Sequence, residues 1–307
     1  MPAVSIITAA YKQDHYLAEA LQSALRQSIA DFELLVCDDA NLPSTAELVE
    51  SFNDRRLRYL PNPTNLGVAA NHLAGFDRAT APFVAVLNQD DRWTPEMLST
   101  LLPPLQSRPT LAIAFSDHWL MDQHGQRLAE QTEANTRLYA RDRLAPGLCV
   151  DPAGLLLGQS IPTVMAAVFR RSALDTLDRE LFLAAGPAYD FALAAHLAFA
   201  GEVWYEPARL SEYRTHPESL TTGSSIAWFL GEARVWQSLM AANLPAGHRR
   251  AVRRRLAESC RIAAVRSARQ GQPGACALAA RALRYAPGPR TLLSLLWTLL
   301  PRPLRKG

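Results

Sequence analysis

Two pairs of adjacent aspartates, Asp38–Asp39 and Asp90–Asp91, each follow a short apolar run, FELLV at 32–36 and FVAVL at 83–87. Runs of that length and composition read as buried strands. In an open α/β sheet, ligands collect outside the carboxyl ends of the strands, so both pairs should face one crevice. Clustered carboxylates repel one another and gain nothing there from packing. They become useful when a divalent cation, a sugar hydroxyl or a base N–H is present to meet them. Such a rim suits a metal-dependent nucleotide-sugar site. A further carboxylate, Asp190, opens the apolar stretch at 189–200. Taken alone, it reads as an acidic residue complementing the N-terminal dipole of a helix.

The elements that must position these residues alternate between strand and helix. VSII at 4–7 is a strand, and Leu17, Leu21, Ala24 and Leu25 then recur at helical spacing. After the second strand, Ser44 and Glu47 have capping-box spacing ahead of Leu48, Val49 and Phe52. Residues 57–60 form a third strand, 67–79 a helix and 83–87 a fourth strand, and Thr94-Pro95 reads as the cap and N1 position of the next helix. Repeated strand–helix units imply parallel strands. Residues 111–115 and 118–121 read as two strands of a mixed edge, followed by a turn at 122–125. Residues 131–162 lack periodicity and are expected to form loops and short helices over the crevice. Pattern returns with a strand at 164–169, a helix at 189–200 and a strand at 203–205. From Ser225 onward the chain reads as helical, broken at 243–247, 271–274 and 287–289.

The chain has 307 residues, 49% hydrophobic and 20% charged, the composition of a globular protein with ample length for a core. Cys37, Cys149, Cys260 and Cys276 are scattered without metal-ligand spacing, which suggests free thiols in a reduced cytosolic setting. The N-terminus enters a strand directly and does not read as a signal peptide. The net charge of +3 conceals a split: residues 245–307 carry fourteen Lys and Arg against one acidic residue, Glu258, while the first 244 carry 18 basic and 28 acidic residues. A tail so basic is expected to meet an anionic surface.

Several ordered blocks over residues 3–222 resemble the inverting family-two glycosyltransferases of GT-A fold. VSIITAAYKQ resembles the first strand and nucleotide-contacting turn, FELLVCDDANLPST the second strand, and NPTNLGVAANHLAGFDRATAPFVAVLNQDD the helix–strand block ending in the metal aspartates. AAVFRRSAL, AYDFALAAHLAFAG and EYRTHPESLT resemble the acceptor-side blocks, in order. The resemblance implies an α/β GT-A fold: a Rossmann-like, mostly parallel central sheet with helices on both faces. It would occupy residues 1–222, with a basic helical C-terminal extension at 223–307. It further implies a glycosyltransferase that moves a single sugar from a nucleotide sugar, a UDP-sugar by preference, to a hydroxyl of a saccharide or lipid-linked acceptor.

Residue roles follow from the same match. Thr8, Ala9 and Tyr11 would line the base, with Tyr11 stacking on it. Asp39 would accept the uracil N–H. Asn65 and Gly67 would contact the donor, and Asp90 the ribose or sugar. Asp91 would bind Mn²⁺ or Mg²⁺, with His216 as a second contact, and Arg214 would pair with phosphate oxygens. Asp190 would be the general base that inversion requires. Three positions depart from the usual pattern: Ala40-Asn41 in place of Gly-Ser, Tyr189 in place of an acidic residue, and His196 where arginine is common. The processive-synthase motif Gln-x-x-Arg-Trp and spanning helices are absent from the sequence, which favours single-residue transfer.

Val252, Leu256, Cys260 and Ala263 fall on one helical face with Arg250, Arg254 and Arg261 opposite, the pattern of a helix packed on the protein with a solvated arginine face. The apolar segment at 292–300 is far shorter than the ~20 residues a membrane span requires. Flanked by Arg290, Arg302, Arg305 and Lys306, it suits an interfacial helix on anionic lipid, at the inner face of the cell membrane. Nucleic acid lacks a recognition motif here. Two alternatives stand beside transfer. A sugar-1-phosphate nucleotidyltransferase should carry a Gly-rich phosphate loop, which TAAYKQDHY lacks. A non-catalytic nucleotide-sugar-binding partner on the same fold would have no need of Asp39, Asp91 and Asp190 together.

Overall fold

The structure is a computed structural model that describes residues 1–12, 14–162, 165–217 and 225–300. Two compact units emerge: one made of residues 1–178 and 193–217, the other of residues 179–192 and 218–307. The boundary expected at 222/223 lies outside the described residues.

In the first unit the chain runs β1 (Val4–Ala10), α1 (Asp14–Leu25), β2 (Phe32–Asp38), α2 (Pro43–Ser51), β3 (Leu57–Pro61), α3 (Val68–Arg78), β4 (Phe83–Val86), β5 (Arg92–Trp93), α4 (Met97–Ser107), β6 (Leu111–Met121), α5 (Ala129–Leu138), β7 (Gly147–Cys149), α6 (Pro152–Gly158) and β8 (Ala167–Arg170). It then passes α7 (Arg179–Ala185), which belongs to the second unit, and α8 (Tyr189–Ala200), which the division cuts after Ala192, before β9 (Glu202–Arg214) closes the sheet. The strand order is β3-β2-β1-β4-β8-β6-β9-β5, with β7 pairing on β9.

β3, β2, β1 and β4 are mutually parallel, with Val4 opposite both Phe32 and Phe83. β8 is antiparallel to both its neighbours, so the sheet as a whole is mixed. Along β1 and β2, Val4, Ile6, Leu34 and Val36 join a core with Leu17 and Leu21 of α1 and Leu98 and Leu101 of α4. The intervening Ile7, Leu35 and Cys37 are also buried, on the face that α3 covers with Leu73 and Phe76. Period-two alternation thus buries both faces of the central strands, which explains their unbroken apolar sequence.

Several local expectations change. α2 starts with Pro43 at its first position after Leu42, with no side-chain cap, so the Ser44–Glu47 capping box does not form. α4 begins later than Thr94-Pro95 implies, and the amide of Leu98 is instead capped by the Gln27 side chain at 3.0 Å. Residues 111–121 are one strand, with register shifts against β9 on either side of Asp117. β9 runs nine residues beyond Val203–Tyr205 to Arg214, where β6 and β5 pair with it.

The second unit packs α7 and the turn before α8 with α9 (Ile226–Leu239), α10 (Ala246–Gln270), α11 (Ala275–Tyr285) and α12 (Pro289–Leu299). Trp236, Leu256, Cys260 and Ala263 are wholly buried, and the Phe191 and Trp236 rings sit 4.7 Å apart. Gly231 lets α9 cross closely here: a Cβ at that position would lie 1.9 Å from the Ala185 carbonyl oxygen. The stretch 179–200 is apolar and long enough by composition to cross a membrane, yet it is 61% buried inside the protein, as core helices are.

Candidate functional site

The parallel half of the sheet puts the ends of β1, β2 and β4 side by side, and the acidic pairs lie on the turns that leave them. Asp38 is wholly buried. Its carboxylate accepts the amides of Ala40 (2.9 Å) and Leu42 (3.1 Å) and the Tyr59 hydroxyl (2.8 Å). It is therefore the brace of its turn, which includes Asn41 in a left-handed conformation at φ 50°. A carboxylate at a strand end can after all serve packing, by satisfying buried donors.

Asp39 reaches the next loop. Oδ1 accepts the Leu66 amide at 2.8 Å and the Asn62 side chain at 3.1 Å, and Oδ2 accepts the Gly67 amide at 2.8 Å. A carboxylate can take about four donors, so Oδ2 keeps room for one more. Gly67, at φ +84°, also donates to Asn65 Oδ1 at 2.9 Å, which folds the turn that starts α3. Asn62 donates to Asn71 Oδ1 at 2.8 Å, and Asn71 donates to the Cys37 carbonyl at 2.9 Å. These two buried asparagines hold Asp39 in place and carry no motif that reveals them in sequence.

At the end of β1, Thr8 is buried and its hydroxyl has no partner among the described residues, whereas Ala9 is partly exposed and Tyr11 is 41% exposed. Gln89 ties this turn to the second acidic pair: it accepts the Tyr11 amide at 2.6 Å and donates to the Tyr11 carbonyl at 3.1 Å.

The second pair divides its work. Asp91, the residue expected to bind metal, is wholly buried, accepting the Arg214 amide at 2.9 Å and the Asn88 side chain at 2.9 Å. Burial, then the neighbouring charge of Asp90, push its carboxyl well above the ordinary range, and the bonds from Arg214 and Asn88 only partly oppose that. Asp90, whose side chain is 21% exposed, meets His216 Nε2 at 3.0 Å. Thus the partly exposed carboxylate beside the imidazole is that of Asp90.

Arg214, expected to pair with phosphate, is also wholly buried. Its guanidinium donates to the Asp90 carbonyl (2.8 Å), the Gln123 carbonyl (3.2 Å) and Glu19 (2.7 Å), and stacks over Tyr16 at 4.5 Å. Tyr16 in turn contacts the His216 ring, with centroids 5.1 Å apart. Glu19 also accepts Arg92, which pairs with Glu212. Arg214 therefore holds Asp90 through its main chain. Tyr16 and Glu19 escape sequence reasoning, although their spacing puts them on one face of α1. Among the described residues, no group of three or more His, Cys, Asp or Glu forms a protein-only metal site.

Asp190 lies in the second unit, in the first turn of α8. Its carboxylate accepts the Phe191 amide at 2.8 Å. Burial, and to a lesser degree the charge of Glu232, push it up to about 6. Glu232 is itself buried and accepts the Ser259 hydroxyl at 2.7 Å. His196, further along the helix, is fixed against the Ala173 carbonyl at 2.6 Å. The structure thus gathers Asp39, Tyr11, Asp90, Asp91, Arg214 and His216 along one rim, and sets Asp190 in a different unit.

Comparison with known proteins fixes the family. The profile of Glycosyl transferase family 2 matches residues 5–177, more than half of the chain. The chain belongs to that family. It is 37% identical over 90 residues to an Escherichia coli protein, UDP-Glc:alpha-D-GlcNAc-diphosphoundecaprenol beta-1,3-glucosyltransferase WfgD, a match over 29% of this chain and 36% of that one. The chain spans about half or less of the length of the curated relatives it matches. Its fold is that of TarS from S. aureus, solved in complex with UDP-GlcNAc: TM-score 0.65 at 13% identity, over 97% of this chain and 90% of that one. It is also that of a mannosyltransferase from Pyrobaculum calidifontis holding GDP-Man and Mn²⁺, with TM-score 0.59 at 14% identity, over 97% and 84%. The architecture is therefore GT-A.

Proposed function

We propose that this chain transfers one sugar from a UDP-sugar to a hydroxyl of a saccharide or lipid-linked acceptor, with inversion. The observation that carries the reading is the rim: Asp39 with one open acceptor position near the exposed Tyr11, and Asp90 against His216 on the adjoining turn. The nucleotide donors named for WfgD and TarS, and the lipid-linked acceptor named for WfgD, agree with it.

In this reading Tyr11 stacks on the uracil and Asp39 accepts its imide N–H, with Thr8, Ala9, Asn65 and Gly67 shaping the surrounding turns. Asp90 and His216 would hold Mn²⁺ or Mg²⁺, one carboxylate and one imidazole forming a sparse protein set for such a cation. A cation bound there would neutralise charge on the departing nucleoside diphosphate. Asp91 and Arg214 keep Asp90 in position. Asp190 removes the proton of the acceptor hydroxyl as that oxygen forms a bond to the anomeric carbon and the bond to the diphosphate breaks on the opposite face.

The test is a panel of nucleotide sugars with Mn²⁺ or with chelator, scored by release of nucleoside diphosphate and by the anomeric configuration of the product. Metal-dependent release with an inverted product is expected. Donor binding without turnover would favour a non-catalytic partner. Pyrophosphate release from a nucleoside triphosphate and a sugar phosphate would favour a nucleotidyltransferase.

A further inference from the structure

α12 is packed the opposite way round from an ordinary surface helix. Its protein-facing residues are hydroxyls: Thr291, Ser294 and Thr298 are 7%, 8% and 1% exposed. Each returns its O–H to a nearby main-chain carbonyl, Thr291 to Ala286, Ser294 to Arg290 and Thr298 to Leu295. The small side chains permit close approach, and the Cys276 sulfur lies 3.5 Å from the Thr298 carbonyl oxygen. Its leucines face away: Leu292, Leu293, Leu296, Leu299 and Leu300 are 46%, 64%, 52%, 60% and 39% exposed. Their spacing of i, i+1, i+4, i+7 and i+8 places them on one stripe. Soluble proteins rarely leave such a stripe open unless something covers it.

The charge around the stripe identifies the cover. Residues 291–300 contain no charged residue, while Arg290, Arg302, Arg305 and Lys306 flank them in sequence. Within the same unit Arg253, Arg254, Arg255, Arg269, Arg284 and Arg290 are exposed. An uncharged leucine face flanked in sequence by cations, on a unit with further exposed arginines, matches an anionic bilayer, with acyl chains for the leucines and headgroup phosphates for the arginines. A helix of 11 residues is ~16 Å long, about half of a hydrocarbon core, so it can lie in the interface but not span.

We infer that the leucine face of α12 is a docking surface for an anionic lipid bilayer and holds the protein on the membrane peripherally. This goes beyond the catalytic reading and stands or falls without it.

The test is co-sedimentation of the full chain with vesicles of phosphatidylcholine alone or with about 30% phosphatidylglycerol, at ~0.15 M salt. The unaltered protein should partition at least tenfold more strongly onto the anionic vesicles. A triple variant, Leu293→Gln, Leu296→Gln and Leu299→Gln, should lose that binding at least tenfold with an unchanged circular dichroism spectrum, because all three leucines are exposed. Light scattering of both proteins without lipid serves as the second measurement. Unaltered vesicle binding by the triple variant would overturn the assignment, as would failure of the unaltered protein to bind. A concentration-dependent dimer that the triple variant abolishes, without vesicle binding, would assign the face to a second copy instead.

Discussion

Replacing Asp190 by asparagine should make the protein more stable at neutral pH while stopping transfer. Burial and Glu232 lift this carboxyl from an ordinary 3.8 to about 6. The folded state therefore binds the proton more tightly than the unfolded chain. Stability associated with this group is fully present below the unfolded value, is lost as pH rises between the two values, and stays lost above about 6. At about 1.4 kcal/mol per tenfold change, the full loss is about 3 kcal/mol. That is an upper bound, because Asp190 keeps some contact with solvent. About 2 kcal/mol of it should fall between pH 4.5 and 8, since the unfolded carboxyl is already largely ionised at 4.5. Asparagine has the same shape and does not titrate. Urea denaturation of both proteins at pH 4.5 and 8 should show the variant gaining up to about 2 kcal/mol relative to the native chain at the higher pH. In parallel, kcat/KM of the native chain should rise through pH about 6, and the variant should lose about 10²–10⁴ in kcat with donor KM little changed. A stability difference that does not vary with pH would refute the burial argument. Full activity in the variant would remove Asp190 as the base.

Glu232→Gln removes a charge that raises Asp190, so the ascending limb of the rate profile should move to lower pH; an unmoved limb would mean the two groups do not interact. Asp90→Asn should weaken Mn²⁺ binding, measured by calorimetry with nucleoside diphosphate present, far more than Asp91→Asn, and the reverse order would return the metal to Asp91. Asp39→Asn should weaken UDP binding and also cost about 1–3 kcal/mol of stability, because its NH₂ group replaces one of the two oxygens and leaves either the Leu66 or the Gly67 amide without an acceptor. Gly231→Ala should destabilise the helical unit by about 1–3 kcal/mol in thermal unfolding, since the added methyl meets the Ala185 carbonyl oxygen.

How much of this was legible beforehand varied with the kind of signal. The strands at 4–7, 32–36 and 83–87 are apolar on both faces, and any chain carrying them must bury them between layers. The four C-terminal helices follow from breaks at proline and glycine. The length of β9 was hidden, because Glu206, Pro207, Arg209 and Glu212 lack the apolar pattern of a strand, and β6 and β5 recruit this stretch by pairing. The network of Asn62, Asn71, Tyr16, Glu19 and Gln89 was hidden too, because its members are far apart in sequence and each is an ordinary polar residue.

The sequence alone settled that acidic pairs stand at the carboxyl ends of two parallel strands and that an uncharged leucine helix lies in a basic tail, since strand apolarity and charge are properties of composition. It could not decide which member of each pair faces out. Adjacent side chains point in opposite directions, and the choice falls to distant donors: the Tyr59 hydroxyl on β3 claims Asp38, and the Arg214 amide on β9 claims Asp91. Nor could it orient α12, whose hydroxyl and leucine faces are both compatible with a helix. Close packing decided that: Thr291, Ser294 and Thr298 are buried, and the Thr298 carbonyl approaches Cys276 of α11 at 3.5 Å.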